Sequence, residues 1–319
     1  MLAIIFSHVG YFLSEDQQFL FPLSILAGVG VNLFLFLSGF GLTISTLRSG
    51  LTLKNFYRKR LVKLFLPLWF VLALLIGIDL IILHRSYPLF TLIQSFLGFF
   101  PKADLFQDLN APLWYFSLIF FYYLIFPLFF WKKTVYITPL VLLIIPFFLL
   151  QLPLPIDPSV LSLYRLHFVS FPLGVFFGLV TYDKIFTILR LDFKNILSGN
   201  NLKYILTLFF IVVFIFTSFN SGVDKGKLIE QTISLITMFS IIFLFIIKKI
   251  EFLFLNLYGM YSYEVYLIHW PLLSRYDLFY KYLPASLATL LYLGFFLVIG
   301  YLINKFGVYI IRKLTKNYI

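Results

Sequence analysis

The chain has 319 residues, of which 61% are hydrophobic and only 12% charged, with a mean hydropathy of +0.99. A water-soluble fold of this length needs more polar surface, so the composition excludes a soluble globular enzyme and leaves an all-α, polytopic membrane helix bundle. The absence of cysteine excludes disulfides, thiolate metal sites, a cysteine nucleophile and palmitoylation. The net charge of +12 is read as asymmetric loop charge, with no nucleic acid as partner.

Taken in chain order, the apolar runs predict about ten transmembrane helices in a single domain over residues 1–319. The first run, MLAIIFSHVGYFL at residues 1–13, contains His8. At 1.5 Å per residue it reaches only about 20 Å, against a hydrocarbon core of about 30 Å. Either it is buried within the bundle or further residues precede it, and the expectation is an N-terminal truncation. Glu15 and Asp16 open a loop without Lys or Arg. The second span, 28–47, reads GVGVNLFLFLSGFGLTISTL. Its glycines permit close helix approach or a local break, and Asn32 must find a partner in the bundle. Residues 48–63 form the most basic loop, with Arg48, Lys54, Arg58, Lys59, Arg60 and Lys63. Span 3 covers 64–83, with Asp79 near its far end.

The segment LFTLIQSFLGFF is too short to cross a bilayer and predicts an interfacial or re-entrant helix. Span 4, 112–130, opens on Leu113-Trp114-Tyr115. Spans 5 and 6 cover 135–150 and 166–182, separated by the proline-rich LPLPIDP. Spans 7 and 8 cover 204–219 and 232–247. Span 9, 252–273, has a candidate break at Tyr258-Gly259, and span 10 covers 284–304. Ten crossings put both termini on one side, and 18 of the 25 Lys and Arg fall on that side. The positive-inside rule makes it cytoplasmic and the protein a multi-pass protein of the cell membrane, by composition a bacterial cytoplasmic membrane.

Few side chains in these spans can do chemistry. Ionisable groups inside membrane helices are rare and mark sites by default, and imidazole titrates near neutral pH. His8 and His269 lie deep, and each fits a structural bond to a neighbouring helix as well as a site role. His84 and His167 lie at or near span ends, where histidine is usually an amphipathic anchor. Ser262, Tyr266 and His269 stand at i, i+4 and i+7 and so form one polar stripe. Glu264 lies off that stripe and needs its own partner or a wet cavity. No two histidines are helix neighbours and no carboxylate cluster accompanies them, so no metal site is expected. Neither a Gly-x-Ser-x-Gly turn nor a phosphate-binding loop is present.

Five segments, in order, resemble acyltransferase family 3, the membrane O-acyltransferases that modify sugars of cell-envelope polymers. AIIFSHVGYF resembles the family's first helix, with His8 as its histidine. GVNLFLFLSGF, between Val29 and Phe40, resembles its second helix. Arg58, Arg60 and Lys63 before Pro67 resemble its basic segment, with Lys in the last place. Leu113-Trp114-Tyr115 with Tyr122 and Pro127 resembles its Trp-containing helix. YEVYLIHWP, Tyr263 to Pro271, resembles its late Tyr/His/Pro element. The acidic pair that one branch carries after the Trp is replaced by Ile119 and Phe120. The family's first-helix Arg, eleven positions before the His, would fall three residues before Met1. Eleven residues is three turns plus about 20°, which puts the two on one face about 16 Å apart.

The resemblance implies transfer of an acyl group, usually acetyl, from coenzyme A to a hydroxyl of a cell-envelope or exopolysaccharide sugar. Acetyl-CoA or another acyl-CoA would be donor, the carbohydrate acceptor and membrane lipids the other partners. His8 would act as general base or as an acyl-carrying nucleophile. Arg58, Arg60 and Lys63 would hold the donor's phosphates, although the positive-inside rule alone also explains them. Asn32, Ser38, Trp114, Tyr266 and His269 would line the tunnel. Trp114 would stack on a sugar or serve as an interfacial anchor. Two rival readings are a flippase for a lipid-linked saccharide, which needs neither coenzyme A nor His8, and an inactive structural subunit.

Overall fold

A computed structural model describes residues 1–9, 27–104, 108–130, 134–183, 200–220, 227–248 and 252–316. The Glu15–Asp16 loop, the Lys132–Lys133 pair, Lys184, Arg190, Asp192, Lys194, Lys249 and Glu251 lie outside these residues. Among the described residues there are thirteen α-helices and no strand. They are α1 (Leu2–Val9), α2 (Ala27–Ser49), α3 (Leu53–Ile82), α4 (Leu89–Phe96), α5 (Trp114–Phe129), α6 (Thr138–Leu149), α7 (Pro158–His167), α8 (Ser170–Tyr182), α9 (Asn200–Asn220), α10 (Lys227–Lys248), α11 (Leu253–Met260), α12 (Ser262–Ser274) and α13 (Ala285–Lys316).

Six helical stretches are long and apolar enough to cross a membrane: Gly28–Ser49, Leu53–Ile82, Ala111–Phe129, Pro158–Tyr182, Leu228–Ile247 and Ala285–Lys313. Sequence spans 5 and 7 correspond to the shorter apolar helices Val135–Leu149 and Leu202–Ser218. Span 9 divides into α11 and α12. The break falls at Tyr261, slightly beyond Tyr258-Gly259, and the Ser262 hydroxyl donates to the Gly259 carbonyl at 2.9 Å there. Large apolar side chains such as Ile81, Leu228 and Leu253 are about three-quarters exposed, as a hydrocarbon solvent requires and water would penalise. Helix α4 turns Leu89 and Phe90 outward, and the Trp69 indole N–H donates to the Phe96 carbonyl at 2.8 Å. LFTLIQSFLGFF thus forms a helix of eight residues, too short to cross a bilayer, as its length predicts.

The α2–α8 pair makes the most extensive helix contact. It exists because the residues at the crossing lack side chains. A methyl on Gly174 would sit 2.0 Å from the Phe36 carbonyl oxygen, and one on Gly39 would sit 2.3 Å from that of Phe171. Small residues at such crossings let backbones approach where lipid gives no hydrophobic drive for helix association. Helix α1 then packs against both α2 and α12, and this brings His8 to His269.

Prolines open two carbonyls that other elements close. Pro172 and Pro271 have no N–H to give to the residue four positions back. The Tyr122 hydroxyl of α5 donates instead to the Phe168 carbonyl at 2.5 Å. The Asn110 amide donates to the Leu267 carbonyl at 2.6 Å. In a bilayer every backbone polar group needs such a partner, and these two side chains supply it where the prolines do not.

At the end of α3 the Asp79 carboxylate is fully buried and ion-paired with Arg275. It also accepts from the hydroxyls of Tyr87 and Tyr276, each at 2.5 Å. Arg275 donates further to the carbonyls of Asp108 at 2.7 Å and Leu109 at 2.8 Å. One buried ion pair thus ties α3, the 84–111 segment and the end of α12 together. The start of α7 is capped by Asp157, which accepts from the Ser159 amide at 2.9 Å and hydroxyl at 2.6 Å. Those bonds hold its carboxyl below the usual range.

Candidate active site

His8 lies in the last turn of α1, whose other residues are apolar. Its Nδ1 is 2.8 Å from Nε2 of His269 on α12. The two rings are within 5° of parallel, with centroids 5.0 Å apart. With only 2.8 Å between the nitrogens, that separation describes an edge-to-edge, in-plane bond and not face-to-face stacking. Trp270 sets its ring against that of His8 at 62° and 4.7 Å. His269 is completely buried, with Phe296 of α13 edge-on at 6.3 Å. Its Nδ1 faces the carbonyls of Tyr266 at 2.9 Å and Val265 at 3.2 Å. His8 itself is only half-buried.

A cavity of about 770 Å³ approaches this pair through Tyr266, although neither His8 nor His269 is among the residues that line it. Of the residues singled out in the sequence, Ser38, Arg60, Lys63 and Tyr266 line it, and the wall is otherwise largely apolar, with Leu33, Phe34 and Ile119. Lys63 is exposed and Arg60 half-buried. Ser38 shares a 2.7 Å hydrogen bond with the Tyr123 hydroxyl. Tyr266 connects cavity and histidines. It lines the former, its ring stands 6.3 Å from that of His269, and its hydroxyl donates to the Pro112 carbonyl at 2.6 Å. Tyr115, also in the wall, packs edge-on against Tyr266 at 5.4 Å. The first residues of α1 also line the cavity, and five residues separate Ala3 from His8, about 7.5 Å along the helix.

The remaining sequence candidates lie elsewhere. Arg58 is exposed and is not part of the cavity wall. Trp114 is buried, with its ring stacked on His167 at 5.7 Å and packed on Tyr164, so no open face is left for a sugar. Asn32 belongs to a second polar cluster. Its carbonyl oxygen accepts from His167 Nδ1 at 2.8 Å and from the Ser170 hydroxyl at 2.7 Å. Its amide donates to Ser234 at 2.7 Å. His167 is therefore no interfacial anchor: it is 1% exposed and joins α7, α2 and α8. The i, i+3 spacing of His167 and Ser170 puts two polar groups on one face, the signal that marks it. Glu264 accepts from Asn304 of α13 at 2.7 Å, away from the histidines. His84 is exposed at the end of α3, with φ of 49°.

The sequence model of the acyltransferase domain family matches residues 1–305. That range takes in His8, the cavity and α12 together. The chain belongs to acyltransferase family 3. It is therefore an acyl-transferring membrane protein, and the apolar helices make it multi-pass. No curated protein and no solved structure matches the chain significantly. Within this family 3 domain the five resembling segments, so far as they lie among the described residues, fall on α1, α2, the first half of α3, α5 with the turn before it, and α12. All five contribute residues to the cavity or to the histidine pair: His8, Ser38, Arg60 with Lys63, Tyr115, and Tyr266 with His269.

Proposed function

We propose that the chain transfers an acyl group, acetyl in the first instance, from coenzyme A to a sugar hydroxyl of a cell-envelope polymer. The observation that supports this best is the adjacency of a basic-mouthed cavity and a histidine pair through one shared residue, Tyr266. Arg60 and Lys63 supply positive charge for the donor's phosphates. The apolar wall beyond them suits the pantetheine arm and its thioester. His8 takes the proton of the acceptor hydroxyl as that oxygen attacks the thioester carbonyl. The new C–O bond forms, the C–S bond breaks, and the proton passes from His8 to the leaving thiolate. In the same reading the chain crosses a bacterial cytoplasmic membrane ten times, with both termini and the basic mouth in the cytoplasm.

The test is coenzyme A release from acetyl-CoA by the full chain in nanodiscs, with a carbohydrate acceptor, for wild type and His8→Ala. Loss of release with donor binding retained supports His8 in the chemistry. Equal release from both removes His8 from that role. Absence of donor binding in wild type, with saccharide moved across the bilayer unmodified, would replace the enzyme by a flippase.

A further inference from the structure

The bond between His8 and His269 has a direction, and the backbone sets it. Nδ1 of His269 faces the carbonyl oxygens of Tyr266 and Val265, at 2.9 and 3.2 Å. A carbonyl oxygen only accepts, so this nitrogen is the one that bears a hydrogen. No ion pair with a carboxylate is made by either ring among the described residues, and burying an unpaired charge costs far more than burying a neutral ring. In a neutral His269 with Nδ1 protonated, Nε2 presents a lone pair. Across 2.8 Å that lone pair can only accept, so Nδ1 of His8 must donate. A neutral His8 with hydrogen on Nδ1 has its own lone pair on Nε2. Among the described residues no hydrogen bond occupies that atom.

We infer that His269 is a positioning residue: through a relay from the Tyr266 carbonyl it fixes His8 as the Nδ1–H tautomer, leaving Nε2 as the base. This rests on the acyl-transfer reading for its consequence, although the tautomer itself does not. The geometry of His269 is built for the task. The ring is fully buried and meets Phe296 at right angles, two carbonyls take one nitrogen, and the near-coplanar rings give the bond to His8 its best alignment. Which imidazole nitrogen is free to act is set by the bond the other one makes. When His8 takes the hydroxyl proton, the Nδ1–H bond to His269 becomes charge-assisted and stronger. His269 therefore orients the base in the resting state and stabilises its charged form during transfer. It touches no reacting atom.

Two measurements on the full chain test this independently. Nitrogen-15 NMR of histidine-labelled protein, with the His8 signals assigned by difference against His8→Gln, reads the tautomer directly. The expected result is a protonated Nδ1 and an unprotonated Nε2 on His8. A protonated Nε2 on resting His8 overturns the inference whether or not the protein is active. The second measurement compares kcat and KM for acetyl-CoA in wild type, His269→Gln and His269→Leu. Glutamine returns an acceptor oxygen near the place of Nε2, and leucine returns only volume. Leucine is expected to lower kcat by roughly 10²-fold or more, within the range general-base catalysis contributes, glutamine to recover part of the loss, and KM to stay close to wild type in both. Equal kcat losses in the two variants overturn the positioning role, because lost packing would not distinguish them. Wild type that releases no coenzyme A overturns the acyl-transfer reading alone, and the NMR result still decides the tautomer.

Discussion

Tyr122 and Pro172 permit a sharp test of how the bundle satisfies its backbone. Pro172 leaves the Phe168 carbonyl without its helical donor, and the Tyr122 hydroxyl fills that place at 2.5 Å. Tyr122→Phe removes only the hydroxyl. The ring is fully buried and stacked on Phe171 at 4.4 Å, contacts that phenylalanine keeps. The cost is then that of one buried carbonyl left unpaired, about 1–3 kcal/mol in general. Hydrogen-bond couplings within membranes run lower, about 0.6 kcal/mol on average and up to about 1.7, so about 1–1.5 kcal/mol is expected here. In a Pro172→Ala background residue 172 regains its N–H. The neighbouring Leu173 amide already bonds the Val169 carbonyl at 3.1 Å, so the helix geometry for the new bond is in place. Tyr122→Phe should cost less than about 0.5 kcal/mol there, leaving a coupling near 1 kcal/mol. Equilibrium unfolding in mixed detergent–SDS micelles on the four proteins of the cycle measures it. An equal cost in both backgrounds would refute the reasoning, because the hydroxyl would then have a role unrelated to the missing proline donor.

Gly174→Ala drives a methyl into the Phe36 carbonyl, which is backbone and cannot turn aside, so a loss of about 1–3 kcal/mol or more is expected in the same unfolding assay. Arg275→Leu strands the buried Asp79 carboxylate and should cost about 3–5 kcal/mol, whereas Asp79→Asn with Arg275→Leu together should cost less than the sum of the two single changes. Arg60→Gln with Lys63→Gln should raise KM for acetyl-CoA several-fold, flatten its salt dependence and leave kcat near wild type, read by coenzyme A release across ionic strengths. The Asp157 carboxyl titrates below its ordinary value of 3.8 because it accepts two bonds from Ser159. Its support of the α7 start is therefore present above about that pH and lost as pH falls through the lower folded value, and amide exchange at residues 159–161 should accelerate only there.

The all-α membrane class follows from composition alone, since 61% hydrophobic residues leave a helix bundle in lipid as the one economical arrangement. The break near Gly259, the helix at 89–96 that is too short to span and the polar stripe of Tyr266 and His269 were legible too, because each depends on neighbours within a few turns of the chain. The resemblance placed His8, and the family match spans the same residues. What the chain order could not reveal is which polar groups meet. His8 and His269 are 261 positions apart. They meet because α1 packs against both α2, where Gly30 leaves room for Ile4, and α12. The partners of Asn32, the burial of Trp114 and His167, and the Asp79–Arg275 pair are decided in the same way. In an apolar bundle the sequence specifies which few groups must be satisfied, since lipid offers them nothing. Which helix supplies the partner is settled by packing between faces that hydropathy cannot tell apart.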